Sequence, residues 1–431
     1  MTRLLRTLAL LLLCAGSLRA ATTVETGLAT ASTVTATTTV VTLAQYQCAI
    51  LWTTGQTATG ADSAANAMWS IGFSDSTNHR TIAWASDDNV GTTNVGRTLR
   101  TNAALEILSN GTPTSVITVT DVNFSALSFD IVFSGTPASA YLIGYMLIGG
   151  SDVTDCLVGT QTLTTSTGAQ SVTGLSFQPT FGMFLNSEQT AAGTGTQVMA
   201  GLGFAASSTK EFAMCWGIDD GQTMTANINA VSYTNQAASM CGITAGAETI
   251  DFLADFTSFN SDGYTVNVSN AATAAWLVPY LLVKGGQWDV GTVTTATGAN
   301  TVSSMSFQPK GLFVSTSSVV TDATVTLDAI SNVGAATSTS TEASVGAAQD
   351  DAVLNTDVAR ETSSTKIIHE YADNIPNANG DADFTSFQSN GWTITYDVSI
   401  GKKLGWFAIG DNAAAPTSTG AGWWGSGQFG F

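Results

Sequence analysis

Asp255-Phe-Thr-Ser-Phe259-Asn-Ser-Asp-Gly263-Tyr264-Thr-Val-Asn-Val268 decides the fold of this chain. In its second half Tyr264, Val266 and Val268 alternate with Thr265 and Asn267. That period of two marks a strand with one buried face. The Asp-Gly dipeptide before it supplies the positive φ that a hairpin turn needs. The same hairpin returns 128 residues later as Asp383-Phe-Thr-Ser-Phe387-Gln-Ser-Asn-Gly391-Trp392-Thr-Ile-Thr-Tyr396. A degenerate copy lies upstream in Phe124, Phe129 and the alternating run Ser128-Phe-Asp-Ile-Val-Phe133.

Other landmarks repeat in the same order and at nearly the same offset. Phe177-Gln-Pro179 returns as Phe307-Gln-Pro309 and, more weakly, as Tyr46-Gln-Cys48. Gly203-Phe204 matches Gly72-Phe73, and Gly203 matches Gly334. The acidic pair Asp219-Asp220 matches Asp87-Asp88 and Asp350-Asp351. Tyr280-Leu-Leu-Val-Lys-Gly285 aligns with Tyr145-Met-Leu-Ile-Gly-Gly150 and with Trp406-Phe-Ala-Ile-Gly410. Ordered matches of this kind are the signature of tandem repetition.

The chain therefore divides into a signal peptide (1–20), module 1 (21–150), module 2 (151–286), module 3 (287–411) and a Gly/Ser/aromatic tail (412–431). Each module opens on Thr/Val alternation and continues in short runs rich in Val, Ile, Thr and aromatics, separated by Gly, Asn, Asp and Ser. The expected fold is all-β, with three tandem antiparallel β-sandwich, jelly-roll-like modules. Helical periodicity is nearly absent, and Asp62 to Ser70 is the best short helix candidate. The short junctions Gly149-Gly150-Ser151 and Gly285-Gly286-Gln287 suggest modules stacked end to end as a stiff rod.

Composition narrows the function. Charged residues make up only 10% of the 431, against a usual ~25%. The polar surface is thus built of Thr, Ser, Asn and Gln, as on proteins exposed outside the cytoplasm. The formal charge of −19 includes Arg3, Arg6 and Arg19, and removing these three would leave −22. That sign disfavours nucleic acid and anionic membranes as partners, and no nucleic acid is expected. Arg3 and Arg6, the apolar run Leu8 to Leu13 and the small residues up to Ala20 read as a secretory signal. The apolar run is too short to span a bilayer, so no membrane span is expected after processing.

Chemistry-bearing constellations are sparse. The two histidines, His79 and His369, lie in different modules, and no Cys or His stands near them at metal-ligand spacing. No Gly-x-Ser-x-Gly elbow is present in a suitable context. The repeated acidic pairs read as turns that end strands, since each offers at most two of the six to eight oxygens Ca²⁺ requires. No catalytic residue, metal or cofactor is expected. Cys215 and Cys241 lie 26 residues apart on predicted strands of module 2 and are candidates for a disulfide in an oxidising compartment; Cys48 stands where the other modules have proline and reads as packing. Trp69, Trp84 and Trp216 are less regular than the repeated aromatics and are candidates for sugar stacking. In the tail, Trp423, Trp424, Phe429 and Phe431 are spaced by Gly and Ser, so they read as an interaction peptide seeking cover.

The module, seen best in Gly174-Leu-Ser-Phe-Gln-Pro179, Met199-Ala-Gly-Leu-Gly-Phe204, Met240-Cys-Gly242, Asp255-Phe-Thr-Ser-Phe259, Asp262-Gly-Tyr264 and Tyr280 to Gly286, resembles a repeat of tailed-phage structural proteins and uncharacterised bacterial exported proteins. The likeness spans nearly all of modules 2 and 3 and is blurred in module 1. Its motifs are turn and core residues, so the resemblance implies a fold and a structural setting but no activity. The expectation is an exported, non-enzymatic structural or adhesive surface protein. Its partners would be proteins or further copies, engaged through sheet edges and the tail. A virion structural or receptor-binding protein, and a carbohydrate-binding protein or carbohydrate-active enzyme with a glycan partner, are the alternatives.

Overall fold

Period-two patterning with Gly, Asn and Asp at the turns produces antiparallel pairing throughout, and the computed structural model contains no helix among its described residues. Those are residues 21–60, 66–109, 113–223, 230–245, 249–351, 355–371, 378–399 and 401–413. The signal segment and the tail aromatics Trp423, Trp424, Phe429 and Phe431 lie outside them. The helix expected from Asp62 to Ser70 is corrected, because Ala67–Ser74 is a strand. Its residues are buried on both faces, which removes the amphipathic alternation that distinguishes strand from helix in sequence.

Each module is a sandwich of two sheets. In module 2 the inner sheet runs Val153–Thr162, Leu277–Gly285, Phe181–Asn186, Val198–Ser207, Lys210–Ile218, Ala230–Asn235. Its outer sheet runs Gly168–Val172, Gly263–Asn270, Ile250–Asn260, Met240–Ile243. The same order recurs in modules 1 and 3. The winding starts as in a jelly roll, with the first strand beside the last, and then continues as a meander within each sheet. Between the two sheets of module 2 lies a core of Phe177, Phe184, Phe252, Phe256, Tyr264 and Tyr280, with counterparts such as Phe307, Trp392 and Trp406 in module 3.

The inner sheets are also buried on their second face. Trp52, Trp69, Phe73 and Trp84 of module 1, Phe181, Phe204, Phe212 and Trp216 of module 2, and Trp288, Phe313 and Phe407 of module 3 form one continuous cluster. Rings from different modules touch directly. Trp69 meets Trp216 edge to face at 5.1 Å, Phe181 stacks on Trp288 at 4.0 Å, and Trp52 meets Phe313 at 5.9 Å. The modules therefore surround a common axis, and the expected rod is corrected. A short junction fixes how far apart consecutive modules are, not their direction. Gly150 (φ 90°) and Gly285 (φ 93°) end the last strands of modules 1 and 2. A Cβ there would stand 2.3 Å from the Ala21 carbonyl oxygen or 1.8 Å from that of Asp152, at the start of the same module, so only glycine fits at these two places.

Three repeated contacts close the ring. Gly193–Thr196 of module 2 adds to the edge strand Val95–Arg100 of module 1, and Thr326–Leu327 of module 3 adds to Ala230–Asn235 of module 2. At the third interface the Gly60 amide of module 1 donates to the Thr362 carbonyl of module 3 at 3.0 Å. Each inner sheet thus has one of its two edges, Val95–Arg100, Ala230–Asn235 or Val358–Ser363, covered by the next module, in the same sense three times. Such head-to-tail contacts form a closed ring when the rotation returns on itself.

Burying a Trp or Phe in such a centre makes its removal cost about 3–5 kcal/mol. Trp216→Ala, at the Trp69 contact, is expected to lower stability by that amount in a denaturant melt. Module 2 expressed alone as residues 151–286 would expose its half of the shared core and is expected to lack a cooperative transition. A sharp transition of the isolated module would show that the axial packing is dispensable.

Candidate functional sites

The tryptophans proposed for sugar stacking are not on the surface. Trp69, Trp84 and Trp216 are each 0% exposed and point into the axial core. Trp69 and Trp84 are register partners on neighbouring strands, and the Trp84 indole N–H donates to Ser331 Oγ of module 3 at 3.2 Å. Their irregular spacing reflects inter-module packing, which differs at each of the three interfaces.

The acidic pairs do end strands, and they do something further that the sequence did not disclose. Asp220 Oδ1 of module 2 accepts the Val95 amide of module 1 at 3.0 Å, Asp351 Oδ1 of module 3 accepts the Ala230 amide of module 2 at 3.0 Å, and Asp88 Oδ1 of module 1 accepts the Val358 amide of module 3 at 3.3 Å. Val95, Ala230 and Val358 begin equivalent strands. One carboxylate per module therefore caps the edge strand of its neighbour. Two residues along those strands, Arg97 donates to the Thr196 and Gln197 carbonyls of module 2, Ser232 to the Asp328 carbonyl of module 3, and Arg360 to the Thr54 carbonyl of module 1.

The cysteines pair otherwise than expected. Cys48 is bonded to Cys156, with Cα atoms 6.1 Å apart, and the bridge ties module 1 to module 2. Cys48 is thus a cross-link rather than packing. Cys215 and Cys241 are buried thiols. Burial raises both thiol pKa values, and the two side chains hydrogen-bond to one another. Sequence spacing favours the pair inside one module, whereas the ring brings Cys48 and Cys156 together from 108 residues apart.

Two histidine arrangements remain. His79 Nδ1 lies 2.9 Å from Ser74 Oγ, and its Nε2 lies 3.3 Å from Asp121. The trio has the composition of a hydrolase triad with its order inverted in space. Ser74 is fully buried while Asp121 is the partner that reaches solvent, so the hydroxyl faces no substrate space. Burial lowers the His79 pKa, against the opposing pull of Asp121 and Asp75.

The second arrangement is in module 3, between its two sheets. His369 Nδ1 lies 2.7 Å from Asp381 Oδ1 and 3.5 Å from Glu361 Oε2. The three ligand-type atoms lie within 4.8 Å of one another. His369 and Asp381 are register partners on adjacent outer strands, and Glu361 comes from the inner-sheet edge strand. The His369 side chain is 0% exposed, that of Glu361 14% and that of Asp381 34%, so the cluster opens to solvent on the Asp381 side. Burial raises the Glu361 pKa and His369 opposes the rise. Spacings of eight and twelve residues on three strands form no recognisable metal motif, so nothing in the residue pattern pointed to it.

A shallow cleft of about 650 Å³ lies at one module junction, lined by Asp152, Pro179, Ala206, Phe259 and Lys284, with Asn412 at its rim. No family model matches the chain, and no curated protein matches it.

Two further carboxylates make stability depend on pH. Glu211 Oε2 accepts the Phe256 amide at 2.6 Å, and Glu342 Oε2 accepts the Phe384 amide at 2.8 Å, each joining the two sheets of its module. Burial raises Glu211 to about 8 and Glu342 to about 7. The unfolded chain releases those protons near ~4.3. The folded state therefore holds more protons between the two values, and its stability falls as pH rises. The contribution is complete below ~4.3 and is lost as pH passes through the folded-state values. The variant carrying Glu211→Gln and Glu342→Gln is expected to melt higher than the parent at pH 8.5 and no higher at pH 4.5. Equal melting temperatures at pH 8.5 would contradict the assignment.

Proposed function

We propose that the protein is an exported, non-enzymatic structural or adhesive surface component in which one chain supplies a complete three-part ring. The observation that carries this reading is where the repeated polar residues are used. Asp88, Asp220 and Asp351 are each engaged at a module interface. The most regular acidic feature of the sequence thus serves assembly. Apart from the fully buried edge strands Leu105–Leu108, Met240–Ile243 and Ile368–Tyr371, the outer-sheet strands alternate buried with more exposed residues, as Ser115–Phe124 and Ser128–Phe133 do. Hydroxyl pairs such as Ser171 with Thr265 and Thr301 with Thr393 link neighbouring outer strands.

Three similar sheets on one body favour multivalent attachment, where weak contacts add through effective concentration. Because one edge of each inner sheet is covered by a neighbouring module, attachment through strand addition is assigned to the outer edge strands Thr37–Val41, Gly168–Val172 and Gly298–Val302. Module 1 adds an apolar end, where Val41, Leu43 and Leu127 are 79%, 88% and 65% exposed. Leu127 stands where the turns of the other modules have Asp262 and Asn390, and its carbonyl accepts the Thr42 amide. A virion structural or receptor-binding role is the second reading, supported by the cyclic arrangement, which suits a partner of threefold symmetry.

The test is fractionation of cells and particles that express the protein natively, beside a chain truncated after residue 413. The full chain is expected in the cell-surface or particle fraction. The truncated chain is expected to have an unchanged melting temperature and reduced attachment. Recovery of both chains only as free monomers would overturn the reading, and glycan binding lost with an outer-sheet substitution would replace it with the carbohydrate-binding one.

A further inference from the structure

One buried position carries different chemistry in each module. In module 1 it holds Thr98, Arg100 and Glu106, in module 2 Tyr233, Asn235 and Cys241, and in module 3 Glu361, Ser363 and His369, as the shared strand registers show. Module 1 places a cation there. Arg100 donates to both Glu106 oxygens at 2.9–3.0 Å, and the Thr98 hydroxyl donates to the same carboxylate at 2.6 Å. In module 3 the equivalent of Arg100 is Ser363, while two carboxylates, Glu361 and Asp381, converge on one imidazole. The nearby ammonium of Lys366 is held by Asp383 at 2.9 Å and Asp397 at 3.2 Å. The third module thus has more negative charge at this place and less to neutralise it, and a buried carboxylate without a counter-charge is costly.

We propose that Glu361, His369 and Asp381 form a binding site for a divalent transition-metal cation. His369 Nδ1, Asp381 Oδ1 and Glu361 Oε2 are the protein ligands, and water completes the coordination on the open side of Asp381. Nitrogen and oxygen ligands at about 2.0–2.2 Å from a tetrahedral centre stand about 3.3–3.6 Å apart. The His369 to Glu361 separation of 3.5 Å already has that value. The His369 to Asp381 contact of 2.7 Å must widen by less than about 1 Å. The ligand set of one imidazole and two carboxylates suits Zn²⁺ or Mn²⁺ better than soft thiophilic ions. Metal ligands bind in their deprotonated forms, so binding weakens in acid. The position of His369 is fixed in part by its backbone carbonyl, which accepts Asn332 Nδ2 at 2.8 Å.

The experiment is titration of the chelator-treated full chain with Zn²⁺, followed by calorimetry and by NMR of the two histidine rings. Binding of one equivalent is expected, with the His369 ring signals perturbed and those of His79 unchanged. Glu361→Gln and Asp381→Asn are each expected to weaken binding at least tenfold, while His79→Asn leaves it unchanged. Asp381 is the most exposed ligand, so its variant tests the site even where replacing His369 compromises folding. Affinity is expected to fall from pH 7.5 to pH 5.5. No binding of Zn²⁺ or Mn²⁺, or binding that both carboxylate variants leave intact, would overturn the proposal.

Discussion

The second apolar face of each inner sheet is the constraint on which the structure depends. A sandwich needs one buried face per sheet, and the outer sheets obey that rule except at the edge strands Leu105–Leu108, Met240–Ile243 and Ile368–Tyr371. The inner sheets do not. Ala67–Ser74, Lys210–Ile218 and Thr341–Gln349 are buried almost without interruption, so a module in isolation would expose a wall of Trp, Phe and Val. Water exclusion from that wall drives the three modules together. The carboxylate caps, the strand additions and the Cys48 to Cys156 bridge then fix how they meet.

The interfaces repeat in the same sense, which accounts for features that would otherwise look unrelated. Asp88, Asp220 and Asp351 recur because every module caps the next. Gly405 of module 3 faces the Phe212 ring of module 2 so closely that a Cβ would stand 2.1 Å from it. Backbone and ring can approach this closely only at glycine. Aromatic size on one module and its absence on another are therefore a matched pair, a constraint of close packing rather than of turn geometry.

Local structure was legible in the sequence. The Asp-Gly and Asn-Gly turns and the alternation after Gly263 and Gly391 gave strands and hairpins, and Phe177 and Phe307 are buried at equivalent places. Relations between modules were not legible. Trp69, Trp84 and Trp216 looked available because their partners lie on other modules, and periodicity within a strand says nothing about what covers its second face. The same limit hid the Cys48 to Cys156 bridge and led to a rod. The candidate site was hidden for a related reason, since Glu361, His369 and Asp381 become neighbours only through strand register.

The central claim is that three modules close around one core, and small-angle X-ray scattering of the purified chain tests it most directly. A body of about 400 residues packed as one unit has a radius of gyration of about 22 Å. A linear array of three 130-residue sandwiches would exceed about 30 Å, given about 14 Å for each. The closed ring predicts the smaller value with a single-peaked distance distribution. The larger value, with an extended tail in that distribution, would contradict it.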